Sequence, residues 1–296
     1  MSTWLRSVRP KWPLISASRL RGRIAAPVVL LATCLLLAGC LNPTILHVDL
    51  AVAPPPPTSA RDYQAAIESI VGFMKNELGI PFPPSVALYL YPNQSAFERG
   101  LQAEAGFAPN SALRTADYAS AVTINGKVLV NEVDLFRVSW QRRVEILAHE
   151  LVHVSQRHLA GGRRGWSVQW LREGFAEWGT TAALDRLGLE SREVRFAKAR
   201  GKVRWVFEGG DLPTLRQLLS PFGWAAVQDK PDGAASYELA MLATDFLLSR
   251  VGIPAVVEYF RNSTVLDLRG NFAQAFGLSL FDFEAEFSAH LKEMLR

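Results

Sequence analysis

The stretch that decides how this chain reads is Ala148-His149-Glu150-Leu151-Val152-His153. It lies inside a run from Ser139 to His158 in which Val144, Leu147, Leu151 and Val154 recur at helical spacing, with Gly161-Gly162 closing it. On a helix, His149 and His153 are four residues apart, so both rings leave the same side about one turn apart. Two imidazoles in that arrangement suit a single zinc ion, and Glu150 beside them suits a base that takes a proton from zinc-bound water. With five histidines in 296 residues, such a pattern arises by accident in about one chain in 200. The plain alternative is a structural helix that happens to carry two histidines.

A catalytic zinc usually has three protein ligands and water in the fourth place, so a third ligand must come from elsewhere in the chain. Downstream, Trp170-Leu171-Arg172-Glu173-Gly174-Phe175-Ala176-Glu177-Trp178 sets two carboxylates four residues apart on one face of a second predicted helix, Val168 to Leu187. Glu173 follows His153 by 20 positions, and Gly161, Gly162 and Gly165 lie between them. That is enough chain to fold the second helix back beside the first. The competing reading of Glu173 is a solvated carboxylate paired with Arg172 or Arg186.

HELVH at 149–153 and WLREGFAEW at 170–178 together resemble the gluzincin metallopeptidases, in particular bacterial peptidase MA-like domains. The resemblance implies Zn2+ held by His149, His153 and Glu173, with Glu150 as general base in peptide-bond hydrolysis. It implies that Glu177 orients a zinc histidine from outside the ligand set, the role expected of an acceptor for the second N–H of a ligating imidazole. Aminopeptidase-type members place an oxyanion-donating tyrosine some way beyond the glutamate ligand. Tyr237 lies 64 residues beyond Glu173, in Ser236-Tyr237-Glu238-Leu239-Ala240, and takes that role by resemblance; its alternative is a buried aromatic. His158 and His290 are poorly placed for the donor histidine of thermolysin-like members, and His47 receives no role. Val130-Asn131-Glu132 is only a loose echo of the strand that holds a free amino terminus in aminopeptidases. An endopeptidase or narrow peptide hydrolase is therefore the expectation, with a peptide substrate adding as a strand along Ala119–Thr123. The alternative function is a non-catalytic binding or envelope-assembly module that keeps the frame. A purely structural zinc is disfavoured, since such sites favour cysteine.

The N-terminus bears on where this chemistry would operate. Arg6, Arg9, Lys11, Arg19, Arg21 and Arg23 precede an apolar stretch from Ile24 to about Ala38, and Leu37-Ala38-Gly39-Cys40 closes it. This resembles the lipobox of bacterial lipoproteins, which implies a signal peptide over 1–39 and lipid on Cys40. An uncleaved anchor is the competing reading, although the stretch is short for a span and contains Pro27. Leu41 after the cysteine implies the periplasmic side of the outer membrane by the same resemblance. Without residues 1–39 the chain carries 26 basic and 28 acidic residues, so its basic balance belongs to the leader. It gives no reason to expect a nucleic-acid partner. The expected partners are a peptide or protein substrate and the membrane that holds Cys40. Cys34 and Cys40 are the only cysteines, so no disulfide is expected in the mature body.

Residues 41–60, with Pro54 to Pro57, read as a stiff tether. The folded body is expected over 61–296, opening with an amphipathic helix from Arg61 to Leu78. A strand follows at Val86–Tyr91, then a helix at Gln94–Ala105 and a hairpin whose arms, Ala119–Ile124 and Val128–Asn131, flank Asn125-Gly126. Further helices are expected at Tyr237–Val251, Pro254–Phe260 and Leu280–Leu295, while 106–118, 161–167 and 208–235 read as loops. The aromatic run from Phe272 to Leu291 reads as core. The order predicts an α+β fold: a small mixed sheet packed on a helical body that carries the HExxH helix (zincin-like by resemblance), with a helical lobe after about residue 190.

Overall fold

A computed structural model describes residues 43–49, 63–230, 233 and 235–296. Cys40, the leader and Pro54 to Pro57 lie outside the described residues. Alternation of side chains organises the first half of the body. Strands β1 (Thr44–Asp49), β2 (Ser85–Tyr91), β3 (Ala121–Ile124) and β4 (Lys127–Asn131) form a mixed sheet in the order β1-β2-β4-β3. β1 and β3 are antiparallel to their neighbours, and β2 and β4 run parallel. Val86, Leu88, Leu90, Val128, Val130 and Ala121 point from one face into the main core. Tyr91, Leu129 and, partly buried, Tyr89 and Val122 point from the other into a satellite core with Phe97 and Leu101. The satellite core is closed by α2 (Gln94–Ala105) and α3 (Pro109–Tyr118). The hairpin turn is the one the dipeptide demands: Asn125 and Gly126 both have positive φ, 50° and 77°.

The main core lies on the opposite face of the sheet, among α1 (Tyr63–Asn76), α4 (Glu132–Phe136), α5 (Trp140–Leu159), α6 (Gln169–Arg186), α7 (Arg192–Glu208), α8 (Pro221–Gln228), α9 (Ala235–Asn262), α10 (Leu268–Phe276) and α11 (Leu280–Met294). The fold is α+β, as the element order predicts. One continuous buried cluster runs from Val48 to Leu295, so the parts before and after residue 190 share a core. α9 is long and apolar enough to cross a membrane, but half of its most apolar window is buried inside the protein. Gly252, at φ 74° and ψ 170°, breaks it two residues before Pro254. The break separates the two helices that the sequence predicts there. In the C-terminal aromatic run, Phe272, Phe276, Phe283, Phe287 and Leu291 are core. Phe281 is instead exposed, with Arg216 and Arg269 over its ring.

The sheet corrects one expectation. Thr44–Asp49 falls inside the stretch read as tether, yet it pairs along its length with Leu90 to Ser85, and Val48 is fully buried. The folded body thus begins at least by Thr44, and the four prolines belong to the connection between β1 and α1. Two expected loops also contain helices. α3 buries Ala112, Thr115 and Ala116, and α8 buries Trp224 and Val227, each starting with proline at its first position.

Candidate metal centre

Every residue of α5 from Val144 to Gln156 is buried, so the HELVH motif lies on a central helix rather than a surface one. Ser139 caps the helix, its Oγ accepting from Arg142 N. α6 lies beside it, buried almost throughout from Gln169 to Leu184. The glycine in Glu173-Gly174 has a packing cause. A Cβ there would stand 2.2 Å from Ala240 O and 2.3 Å from Thr244 Oγ1, so only glycine lets α6 lie this close to α9. Trp178 Nε1 fastens the same pair of helices by donating to Asp245 at 2.9 Å.

The result is a cluster of three donor atoms. His149 Nε2 and His153 Nε2 are 3.1 Å apart, and Glu173 Oε2 lies 3.4 Å from each. All three side chains are essentially buried. A tetrahedral zinc with bonds of about 2.0–2.1 Å needs ligand atoms separated by about 3.3–3.4 Å. Both edges to Glu173 Oε2 have that length, the edge between the two Nε2 atoms is about 0.2–0.3 Å shorter, and the donors are the chemical types that such an ion takes. Glu173 Oε2 is moreover a buried oxygen with no hydrogen-bond partner, and a buried carboxylate oxygen facing two ring nitrogens needs a cation.

Each of the three residues is held through its other atom. His149 Nδ1 lies 2.8 Å from Glu177 Oε1, His153 Nδ1 lies 2.8 Å from Gln156 Oε1, and Gln169 Nε2 donates to Glu173 Oε1 at 2.8 Å. Gln156 is itself fixed, because its Nε2 donates to Arg172 O at 2.8 Å. These acceptors place a proton on Nδ1 of each ring, which leaves both Nε2 atoms facing Glu173 Oε2. Gln156 and Gln169 are absent from the sequence expectations. Their only trace is helical spacing, three residues after His153 and four before Glu173.

Glu150 is 2% exposed, and its Oε2 is buried without a hydrogen-bond partner. Its backbone carbonyl accepts from Thr123 Oγ1 at 2.9 Å, which ties edge strand β3 to α5. Tyr237, from the start of α9, is buried with its ring centroid 6.0 Å from that of His149 and 4.9 Å from that of Trp224. The structure therefore brings Tyr237 beside the cluster. Arg172 Nε stands 4.0 Å from Glu173 Oε1, whereas Arg186 turns to Glu77 at 2.9 Å. Glu173, at 1% exposure, is not a solvated carboxylate. His47, His158 and His290 are exposed and stand apart from the cluster.

The charges of the cluster depend on one another. Burial works against a proton on His149, but Glu173 and Glu177 outweigh it and raise the imidazole to about 10. Burial likewise works against ionised Glu173. The neighbouring His153 and His149 outweigh it and hold the carboxyl well below its ordinary range. Glu177 is also lowered against its burial, by His149 and then Arg195 and Arg142. With no metal bound, the proton on His149 is thus the cation that balances these carboxylates, and a divalent ion would replace it.

Among the described residues, His149, His153 and Glu173 form the group able to hold a metal ion. Compared with protein-family models, with curated proteins and with solved structures, the chain matches none, so the reading of this centre rests on its own residues and their geometry.

Proposed function

We propose that this chain is a zinc-dependent peptidase of the gluzincin type, with a zincin-like arrangement of helices and sheet around the metal. The observation that carries the reading is the triangle of His149 Nε2, His153 Nε2 and Glu173 Oε2 at 3.1 Å and 3.4 Å, with each residue fixed through its second polar atom. Zinc held there would supply Lewis acidity, bringing the pKa of water toward neutrality and polarising a scissile carbonyl. Glu150, whose Oε2 lacks a partner, would take the proton of the attacking water and pass it to the leaving amine. Tyr237 would donate to the oxygen on which negative charge develops. Glu177 and Gln156 keep both imidazoles turned with Nε2 inward. β3, an edge strand hooked to α5 through Thr123, offers backbone groups to an extended peptide.

The basic, apolar and small-residue segments that end at Cys40 support export and lipid attachment, on the periplasmic side of an outer membrane. The substrate is then a peptide or protein of the cell envelope. The test is to measure zinc per chain and cleavage of a mixed peptide library by the parent and by Glu150→Gln. One zinc per chain in both, with cleavage in the parent alone, is the expected result. Absence of zinc from the parent would refute the centre. Zinc without cleavage would make the chain a binding or assembly module.

A further inference from the structure

The metal cluster does not end at Glu177. Glu177 Oε1 faces His149 Nδ1 at 2.8 Å, and its Oε2 accepts from Arg195 Nη2 at 3.1 Å. A carboxylate held on both oxygens has its plane fixed as well as its position. Arg195 is in turn anchored on three sides. The same Nη2 lies 2.6 Å from Glu145 Oε1, and Nη1 donates to Glu190 Oε2 at 3.1 Å. Glu145 stands on α5 four residues before His149, one turn away, and pairs with Arg142 at 2.5 Å. Arg195 thereby joins α7 to the helix that carries the histidines and to the helix that carries Glu173 and Glu177. The carboxylates around it are 9% exposed or less. Five of these side chains (Arg142, Glu145, Glu177, Glu190 and Arg195) wall a separate cavity of about 460 Å³ whose lining includes none of the three proposed ligands.

We propose that Arg195 is a positioning residue for the metal centre: it fixes Glu177 so that His149 is held in ligating orientation. This rests on the metal-site reading above. Nothing in WLREGFAEW or HELVH points to an arginine 18 residues beyond Glu177. The guanidinium is planar and presents several N–H groups at fixed angles, which suits bridging three carboxylates; an ammonium is a point charge and does not. A purely structural hub makes a different prediction. In that case every partner of Arg195 matters alike, and metal affinity follows stability. In the positioning role, the link through Glu177 governs the metal and the link to Glu190 does not.

The experiment measures zinc affinity by chelator competition, and the visible spectrum of the cobalt-substituted protein, in the parent, Arg195→Gln, Arg195→Lys and Glu190→Gln. Folding of each is checked by circular dichroism. Arg195→Gln should weaken zinc binding roughly 10- to 100-fold, the range typical of losing an outer partner of a ligand, and should shift the cobalt spectrum. Arg195→Lys should recover part of the loss. Glu190→Gln should leave affinity and spectrum as in the parent. A second pair, Arg195→Gln with Glu145→Gln, removes one charge of each sign and keeps the measurement possible where Arg195→Gln alone does not fold. A folded Arg195 variant with parental affinity and spectrum overturns the proposal, as does an equal loss in Glu190→Gln. Failure of every Arg195 variant to fold would make the residue a determinant of the fold and overturn it too. A parent that binds no zinc sinks the site reading itself, an outcome distinct from the others.

Discussion

Glu177 Oε1 and His149 Nδ1 are 2.8 Å apart, a contact between two helices that decides which nitrogen of His149 faces the cluster. Glu177→Ala removes the acceptor and frees the ring to turn. Zinc affinity should fall roughly 10- to 100-fold, and Glu177→Gln, which keeps an oxygen in place but not the charge, should lose less. Chelator competition measures both. Equal affinities in parent and Glu177→Ala would show that the contact does not orient the ligand.

Glu150 and Tyr237 separate binding from chemistry. Neither belongs to the ligand triangle, so Glu150→Gln and Tyr237→Phe should each retain parental zinc content. Cleavage should drop about 10²- to 10⁴-fold for Glu150→Gln. For Tyr237→Phe it should drop about 10²- to 10³-fold, in kcat rather than KM. Loss of zinc from either variant would place the residue in the metal's support instead.

The His149 shift gives a pH signature. A histidine raised from 6.5 to about 10 stabilises the metal-free fold fully below pH 6.5 and loses that contribution as pH climbs toward 10. Glu173 and Glu177, lowered from 4.5, contribute above that value and lose it as pH falls. Thermal unfolding of the metal-free protein should therefore show highest stability between about pH 4.5 and 6.5 from these groups. Zinc displaces the His149 proton, so saturating zinc should flatten the alkaline decline. Calorimetry at pH 7 in buffers of different ionisation enthalpy should register about one proton released per zinc bound. Zinc binding without proton release would contradict the charge balance described for the cluster.

Two glycines in helices should respond in opposite directions. Gly174→Ala drives a Cβ to 2.2 Å from Ala240 O and should cost about 1–3 kcal/mol, with zinc affinity falling as α6 shifts. Gly201→Ala, in α7, meets nothing within 4 Å and should stabilise by roughly 0.5–1 kcal/mol. Tm values of the two variants relative to the parent check this. A Tm for Gly174→Ala at or above the parental value would refute the close approach of α6 and α9.

What could be read in the sequence was what local chemistry encodes. The apolar period around HELVH and WLREGFAEW placed α5 and α6 within a residue or two, and Asn125-Gly126 placed the hairpin. The donors His149, His153 and Glu173 come together as their spacing predicts. The elements that escaped are those whose cause is distant. β1 exists because Thr44 to Val48 pair with β2 some 40 residues on, and its exposed Ile45 and His47 blur the alternation. α7 buries only Phe196, Ala199, Val203 and Val206 in a heavily charged run, too few to stand out. Gln156, Gln169 and Arg195 carry no signature of their own. Their roles appear only once α5, α6 and α7 lie side by side.

The early start of the sheet changes the reach of the protein. A tether running from Cys40 to Arg61 could extend about 70 Å, at roughly 3.3–3.6 Å per residue. With Thr44 already paired to Leu90, four residue steps remain between Cys40 and the folded body, about 14 Å at full stretch. If Cys40 carries lipid as proposed, the body is moored against the bilayer. If it is also the peptidase proposed, the proteins it could process are those that come within touching distance of the membrane surface.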